Sequence, residues 1–443
     1  MAVTQERAPW LTPECATAAM AVAMDVADRF RSREPVTAAV EASVHQTAYP
    51  LSASWRPYSL AQGEAGLALM CGFLDSRFPQ DGWDTVGRDY LQVAARGIER
   101  MASPPLGLFE GLSGLAFAAR SLSREGTRYR NLQATLDREL VPQAIGLAHD
   151  PALLHVGLAY SQFDLIAGIT GIGAYLLTRH AQDGPTGALQ AVLTGLVAMT
   201  GQEESPPRWH TPPHLMGDEV MARQFPYGNV NCGLAHGIAG PLALMACAML
   251  ARVNVPGLPE AVRRLADWLV AQRIDGAEQA GWPAMIPLTE DGQYGRPEIS
   301  RTAWCYGTPG TARAIWLAGC ALDKHKLREA AVEAMAAVYR RPTRQRAIDS
   351  PTFCHGVAGL LQITLRFAHD TGLPLFAQAA ATLTQQILDL YEPDSLLGYR
   401  DVEPDGGRVD RPGLLTGSPG VALTLLAAVT ETDPTWDRAF LLS

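Results

Sequence analysis

The chain contains 443 residues, of which 47% are hydrophobic and 18% charged, and its formal net charge is −9. This apolar content is sufficient for a large core, and the acidic balance, without a polybasic stretch, argues against a nucleic-acid-binding protein. The seven cysteines are too few, and odd in number, for a disulfide framework, which favours reduced thiols in a cytoplasmic protein.

The N-terminal segment does not resemble a secretory signal. The first residues, MAVTQERAPW, contain no positively charged region leading into an apolar one, and the apolar residues 15–24 are followed by Asp25 instead of a cleavage site. No apolar run approaches the roughly 18 residues of a transmembrane helix. We therefore expect a cytoplasmic protein without a transmembrane segment.

A G-x-x-G pair followed by small and aliphatic residues recurs seven times along the chain. The intervals between successive first glycines are 48, 57, 69, 70, 49 and 61 residues. The shared apolar tail and the regular spacing distinguish these pairs from chance occurrences. The first glycines of the seven motifs are Gly63, Gly111, Gly168, Gly237, Gly307, Gly356 and Gly417.

Each motif predicts a loop that enters a buried helix. Glycine permits positive φ and close backbone approach at the helix start, and the residues that follow carry little charge. Between the motifs lie amphipathic segments, such as residues 262–273 and 327–341, with apolar residues at three- and four-residue steps. This sevenfold alternation predicts an all-α ring of repeats, with apolar inner helices lining the centre and amphipathic outer helices facing water.

Two long insertions rich in proline and aromatic residues precede the fourth and fifth motifs, at about residues 203–231 and 281–300. Their aromatic content favours structured loops over disordered spacers, and we expect them to build a binding surface over one face of the ring. His210 and His214 in the first insertion are additional candidate metal ligands, although loop histidines four residues apart are more often solvated.

Reactive side chains concentrate in motifs four to six when the repeats are aligned on their first glycine. His236, Tyr306 and His355 directly precede that glycine, and Cys305 and Cys354 stand one residue earlier. If the motifs surround a common centre at one height, the two cysteines and the two histidines converge there.

Two cysteines and a histidine are typical zinc ligands, and three protein ligands leave a fourth tetrahedral position open, as in catalytic zinc sites. The register of the repeats therefore favours a zinc ion held by Cys305, Cys354 and His355. The alternative is that both cysteines are buried, inert thiols. We expect that fate for the cysteines outside the register, which are Cys15, Cys71, Cys232, Cys247 and Cys320.

Three segments resemble the signatures of the lanthionine synthetase cyclase family, the LanC-like proteins. They are NCGLAHGIAG at 231–240, SRTAWCYGTPG at 300–310 and FCHGVAG at 353–359. The resemblance extends to FDLIAGITGIG at 163–173 and WDRAFLLS at 436–443, and thus spans essentially the whole chain. It implies a single domain over residues 1–443, an α/α toroid of seven inner and seven outer helices, of the stand-alone cyclase type.

The resemblance also implies an enzyme, a zinc-dependent lanthionine synthetase. Such an enzyme adds cysteine thiolates of a ribosomally made peptide to dehydroalanine or dehydrobutyrine, forming lanthionine or methyllanthionine thioether rings. The family's zinc ligands correspond to Cys305, Cys354 and His355, and its proposed acid/base residues to His236 and Asp164.

The chemistry of these side chains agrees with the implied reaction. A thiolate is the reactive form of cysteine, and zinc would bind and deprotonate the substrate sulfur. The enolate formed by the addition then needs a proton, which a histidine such as His236 can donate at neutral pH. Asp164 could orient a histidine or assist deprotonation, or it could simply cap a helix.

Three further residues are candidates for substrate binding. Arg301 and Tyr306 match active-site positions of the family, and Trp304 lies between them. Arg301 could stabilise the enolate oxygen or hold the peptide, whereas its alternative role is an ordinary salt bridge. Tyr306 and Trp304 could instead pack the mouth of the ring.

The implied partners are a dehydrated precursor peptide, with its leader and core, a separate dehydratase and an exporter. The implied location is the cytoplasm, either free or peripheral to a membrane-associated biosynthetic complex. One alternative is a LanC-like protein that adds glutathione or another thiol to dehydroamino acids. A second is a non-catalytic, zinc-stabilised peptide-docking module, which predicts a closed four-ligand metal site and no need for His236.

An α/α-barrel glycosidase is a further alternative. It would use paired carboxylates such as Glu64, Glu110 and Asp164. It would leave the aligned cysteines and histidines of motifs four to six without a role.

Overall fold

A computed structural model describes residues 11–50, 54–180, 186–201, 205–276, 280–297, 301–430 and 433–443. The segment 1–10 lies outside the described residues, as do positions 203–204 and 298–300 of the two insertions. In the described ranges, no helix is both long enough and apolar enough to span a bilayer.

Helices form most of the described structure, and they are numbered here in chain order. Their bounds are α1 (Pro13–Asp28), α2 (Glu34–Gln46), α3 (Glu64–Arg77), α4 (Trp83–Glu99), α5 (Leu112–Ser121), α6 (Arg130–Ala148), α7 (Tyr160–Phe163), α8 (Ile169–His180), α9 (Thr186–Met199), α10 (Glu219–Gln224), α11 (Ala239–Leu250), α12 (Leu258–Ala271), α13 (Thr308–Ala321), α14 (His325–Arg340), α15 (Val357–Thr371), α16 (Pro374–Asp389) and α17 (Ser418–Val429). Short 3-10 helices span Pro151–Leu154, Pro213–Leu215, Thr343–Gln345 and Thr435–Phe440.

The predicted alternation of buried and amphipathic helices is confirmed. Each of the seven glycine motifs leads into a helix, namely α3, α5, α8, α11, α13, α15 and α17. These helices are buried on most sides; in α11, for example, every residue from Ala239 to Ala248 is buried. The amphipathic α12 instead buries one stripe, formed by Leu258, Ala261, Val262, Leu265, Ala266 and Leu269.

Most motif glycines are required by close backbone approach. A Cβ at Gly356 would lie 2.2 Å from the carbonyl oxygen of Ser350, and one at Gly417 would lie 2.0 Å from that of Arg411. Positive φ, the other predicted reason, applies to Gly307, whose φ of 94° is unfavourable for any residue with a side chain. The motif therefore allows the loop before each helix to fold tightly against the helix start.

We expect Gly420→Ala, at the second glycine of the last motif, to destabilise the protein by about 1–3 kcal/mol. The new Cβ would lie 2.4 Å from the carbonyl oxygen of Leu414, a backbone atom that cannot rotate away. Gly146→Ala in α6 is the matched control, since a Cβ there meets no atom within 4 Å. Urea denaturation of both variants measures the difference, and equal stabilities would contradict this explanation of the motif.

Contacts divide the chain into two compact units. The first comprises Met1–Arg100, Ser121–Arg128 and Ile348–Trp436, and the second comprises Met101–Arg120, Tyr129–Ala347 and Asp437–Ser443. In the first unit, α17 packs against α1, α3 and α15, and α15 also packs against α16. In the second, α11 packs against α8, α12 and α13, and α13 packs against α14. Within each unit the buried motif helices thus contact one another and are covered by amphipathic helices. The single domain over residues 1–443 stays a prediction.

Short strands order the loops of each unit. In the second unit, β1 (Asn229–Asn231) pairs antiparallel with β2 (Met285–Pro287), with Val230 opposite Ile286. Because β1 belongs to the first insertion and β2 to the second, this pairing joins the two insertions. In the first unit, β3 (Asp401–Val402) and β4 (Arg408–Val409) form a hairpin.

Candidate functional site

His236 stands at the end of a tight loop that leads into α11. The Asn231 side chain accepts a hydrogen bond from the Gly233 N–H at 3.0 Å, and the Asn231 carbonyl accepts one from the Ile238 N–H at 3.0 Å. His236 Nδ1 lies 2.6 Å from Asp164 Oδ2. The His236 side chain is 38% exposed whereas that of Asp164 is 2% exposed, so solvent reaches the histidine but hardly the carboxylate.

Asp164 uses its two carboxylate oxygens for different tasks. Oδ1 accepts hydrogen bonds from the backbone N–H groups of Ala167 and Gly168, each at 2.8 Å, just before α8 begins. Oδ2 faces His236. The capping role considered from the sequence and the histidine contact therefore coexist, and the cap holds the carboxylate in position for the histidine.

The surroundings of His236 raise its pKa above the ordinary value. Burial opposes this shift, but the hydrogen bond that His236 donates to Asp164, the negative charge of Asp164 and the charge of Cys305 outweigh burial. These contacts therefore favour the imidazolium form more strongly than in an unperturbed histidine. Because Nδ1 faces Asp164, Nε2 is the ring nitrogen left to meet a reactant.

Asp164→Asn is expected to lower the pKa of His236, since it removes the negative charge and keeps an oxygen that can cap α8. The stabilisation from the charged pair should be complete below pH ~6.5, the pKa of an unperturbed histidine, and lost as pH rises through the raised pKa. NMR titration of His236 measures the shift. The gap in Tm between the wild type and Asp164→Asn should narrow at alkaline pH, and a gap independent of pH would contradict the assignment.

The segment before α13 carries the predicted substrate-binding residues. Tyr306 is partly exposed and its ring stacks on His236, with centroids 6.2 Å apart. Arg301 is exposed. Trp304 is fully buried; its indole N–H donates to the Phe440 carbonyl at 3.1 Å, and its ring packs edge-on against Phe440. The substrate-binding role of Trp304 stays a prediction, and its burial favours the packing alternative.

Cys354 and His355 precede α15 in the first unit, and both are partly exposed. The Cys354 N–H donates to the Leu415 carbonyl at 2.8 Å, which ties this loop to the one before α17. His355 Nε2 lies 3.5 Å from Asp401 Oδ1 in β3. This arrangement leaves His355 Nδ1 as the ring nitrogen that does not face the carboxylate.

Asp401 is held on several sides. Its Oδ1 accepts a hydrogen bond from the Ser350 hydroxyl at 2.7 Å, and its Oδ2 lies 3.0 Å from Arg411 Nε. Burial would raise the pKa of Asp401, but His355, Ser350 and Arg411 outweigh it and hold the pKa below its usual range. Asp401 is therefore a carboxylate, and its charge faces His355.

The three predicted zinc ligands belong to different units, Cys305 to the second and Cys354 and His355 to the first. In the described ranges, no three His, Cys, Asp or Glu side chains are already grouped as metal ligands, and the zinc assignment stays a prediction. The donors themselves suit zinc, since thiolate sulfur and imidazole nitrogen are its preferred ligands. The carboxylate beside His355 is a common partner of metal-binding histidines.

The remaining reactive candidates are buried or paired, except for His214. His210 is buried, and its Nδ1 is 2.8 Å from the Pro207 carbonyl, whereas His214 is exposed. Burial raises the pKa of the Cys71 and Cys232 thiols, which agrees with their predicted inertness. Glu64, a carboxylate of the glycosidase alternative, is bound by Arg33 at 2.8 Å.

Sequence reasoning missed Asp401, Ser350 and Arg411, because none of them lies in the aligned positions of a glycine motif. One local signal was present. The P-D-G-G run at 404–407 is typical of a hairpin turn, and Gly406 adopts a φ of 87° there. The turn predicts the β3–β4 hairpin but not that Asp401 faces His355.

The family model described as "Lanthionine synthetase C-like protein" matches residues 54–441. The "Nisin biosynthesis protein NisC" of Lactococcus lactis subsp. lactis is 22% identical over 351 residues, which cover 77% of this chain and 82% of that protein. The structure of "Nisin cyclase" matches with a TM-score of 0.73 at 21% identity, covering 93% of this chain and 98% of that one. This likeness to a helical toroid confirms the predicted fold class.

Proposed function

The chain belongs to the lanthionine synthetase C-like family, and from this premise we propose that it is a lanthipeptide cyclase. The proposed substrate is a dehydrated precursor peptide, in which cysteine thiols add to dehydroalanine or dehydrobutyrine. The observation that carries the proposal is the paired His236 and Asp164 beside Cys305, with Nε2 of the histidine free to act on a reactant. A non-catalytic docking module would not need this arrangement.

We further propose that Cys305, Cys354 and His355 hold a zinc ion. Two thiolates and one imidazole match the donors that zinc prefers and leave a position for a substrate sulfur. Zinc bound there would supply a Lewis acid that favours the thiolate form of the peptide cysteine. Support within the chain comes from Asp401, which lies 3.5 Å from His355 Nε2.

His236 is the proposed proton donor. As the carbon–sulfur bond forms at Cβ of the dehydroamino acid, the electrons of its double bond move to Cα and the adjoining carbonyl. The imidazolium gives its Nε2 proton to Cα and completes the addition. Asp164 is nearly buried and uses both oxygens within the protein, so it orients His236 and stabilises its charged form without touching the peptide.

Arg301 and Tyr306 are the proposed peptide-binding residues. Arg301 is exposed and can pair with a carbonyl or carboxylate of the peptide, or with the oxygen that gains charge during the addition. Tyr306 stacks on His236 and covers one side of the imidazole. Trp304 supports the same segment from its buried position.

The proposed biological setting is peptide modification in the cytoplasm, where the cysteine thiols of the chain stay reduced. A separate dehydratase must supply the dehydrated peptide, because thiol addition requires an existing carbon–carbon double bond. An exporter is the proposed consumer of the product, which would place the enzyme at or near a membrane-associated complex.

The function is tested by incubating the protein with zinc and a dehydrated precursor peptide, then alkylating the remaining thiols and weighing the peptide. Ring formation is an isomerisation, so the expected product loses its alkylatable thiols at unchanged mass. Adding glutathione distinguishes the alternative, since an intermolecular thiol addition would increase the mass by one glutathione for each modified residue. A peptide whose cysteines are all still alkylated, with no glutathione added, would refute both forms of catalysis.

A further inference from the structure

We propose that Asp401 is a positioning residue for the metal site, one that orients His355 through an ion-pair network built into the β3–β4 hairpin. The inference rests on the proposed function, because it takes His355 to be a zinc ligand. It concerns a residue outside the glycine motifs and the three signature segments.

The network is almost completely buried. The side chains of Asp401, Glu403 and Arg411 are 5%, 3% and 6% exposed. Arg411 lies between the two carboxylates, with Nε 3.0 Å from Asp401 Oδ2 and Nη2 bonded to Glu403 Oε1. Burying three charges is costly unless each is held by a specific partner. One guanidinium shared between two carboxylates leaves excess negative charge, and Asp401 presents that charge to His355.

The far end of the network is attached to helix α2. Glu403 accepts hydrogen bonds from the Thr47 hydroxyl and from the Ala48 N–H at 3.0 Å, just after α2 ends. Gln46 makes two further hydrogen bonds to Asp410, directly after β4, accepting from the Asp410 N–H at 2.8 Å and donating to its carboxylate at 3.1 Å. The hairpin is therefore held against α2 by side chains, so Asp401 is presented from a rigid element.

The position of Asp401 selects one nitrogen of His355. A carboxylate opposite Nε2 favours the tautomer with its proton on Nε2, which leaves the Nδ1 lone pair for a metal. At 3.5 Å the contact is longer than the usual ~2.7–3.2 Å of an N–H···O hydrogen bond, so its strength comes from charge and burial. The Ser350 hydroxyl donates to the same oxygen of Asp401 at 2.7 Å.

The test measures zinc affinity by competition with a chromophoric chelator, with thermal unfolding as a parallel readout. Asp401→Asn is expected to weaken zinc binding roughly 10- to 100-fold, the usual effect of losing such a partner. Asp75→Asn is the matched control, because Asp75 is also buried and bound by an arginine, Arg124 at 2.7 Å. The control should keep the wild-type zinc affinity even if it unfolds at a lower temperature.

Wild-type affinity in Asp401→Asn would overturn the positioning role while leaving the proposed function standing. A wild-type protein that binds no zinc would overturn both. If Asp401→Asn does not fold, Ser350→Ala provides the second variant, since it keeps the Asp401 carboxylate and removes the hydroxyl that donates to it, which also contacts Thr352. We expect a smaller loss of zinc affinity there, a few-fold, and no loss would equally overturn the proposal.

Discussion

Replacing Cys354 with serine is expected to remove the zinc and to slow ring formation by roughly 100-fold or more. A serine hydroxyl has nearly the size of a thiol but stays protonated at neutral pH, so it is a poor zinc ligand. The loop should remain folded, because the position's described backbone contact, from its N–H to the Leu415 carbonyl, does not involve the side chain.

Cys320→Ser is the control for this variant. Cys320 lies at the end of α13 with a similar, intermediate burial, and it is outside the repeat register. Zinc content by elemental analysis and rate by the alkylation assay should both fall in Cys354→Ser and both stay near wild type in Cys320→Ser. Cys354→Ser protein that retains stoichiometric zinc would contradict the ligand assignment.

His236→Asn is expected to slow the addition by about 10²–10⁴-fold, the usual contribution of a positioned acid or base. The amide can still reach towards Asp164 but cannot supply a proton. Because His236 is not one of the proposed zinc ligands, the variant should keep its zinc, which separates this effect from that of Cys354→Ser.

His325→Asn serves as the histidine control, since that side chain is 74% exposed at the start of α14. Its rate should equal that of the wild type. The rate of single-turnover ring formation should be measured at saturating peptide, so that differences in peptide affinity between the variants do not affect it. If the His236→Asn protein cyclises at the wild-type rate, the proton donor is another group or water, and the role proposed for His236 is wrong.

Local structure was predictable because each glycine motif determines the loop and the helix that follow from its residues. A small residue followed by an uncharged apolar run predicts both the tight loop and the buried helix, and all seven motif helices form in the described structure. Both predicted reasons for glycine apply, each at different motifs. Gly356 and Gly417 are needed for close approach to a carbonyl oxygen, and positive φ is the explanation at Gly307.

The repeat register predicts that Cys305, Cys354, His236 and His355 converge, and this convergence stays a prediction. Tyr306, which directly precedes the first glycine of the fifth motif, stacks on His236 in the structure. Asp164 could be identified as a site residue only through the family resemblance. It lies 72 residues from His236, and no local sequence pattern indicates their contact. The direction of a side chain such as Trp304 depends on tertiary packing against Phe440, which the register does not encode.

Asp401 could not be predicted from the sequence, for a different reason. Its neighbours Ser350 and Arg411 are 51 and 10 residues away in the sequence, and the network forms only when the hairpin folds onto the loop before α15. A buried ion-pair network of this kind leaves no periodic or compositional signal. Long-range polar contacts are therefore the part of the site that only the structure reveals.

Tandem mass spectrometry of a dehydrated peptide after incubation with the zinc-loaded protein tests the central claim most directly. A thioether ring prevents backbone fragments from separating between the two bridged residues. We expect a product of unchanged mass, without alkylatable cysteine and with no fragment ions inside the bridged segment. A complete fragment ladder with every cysteine alkylated would contradict it.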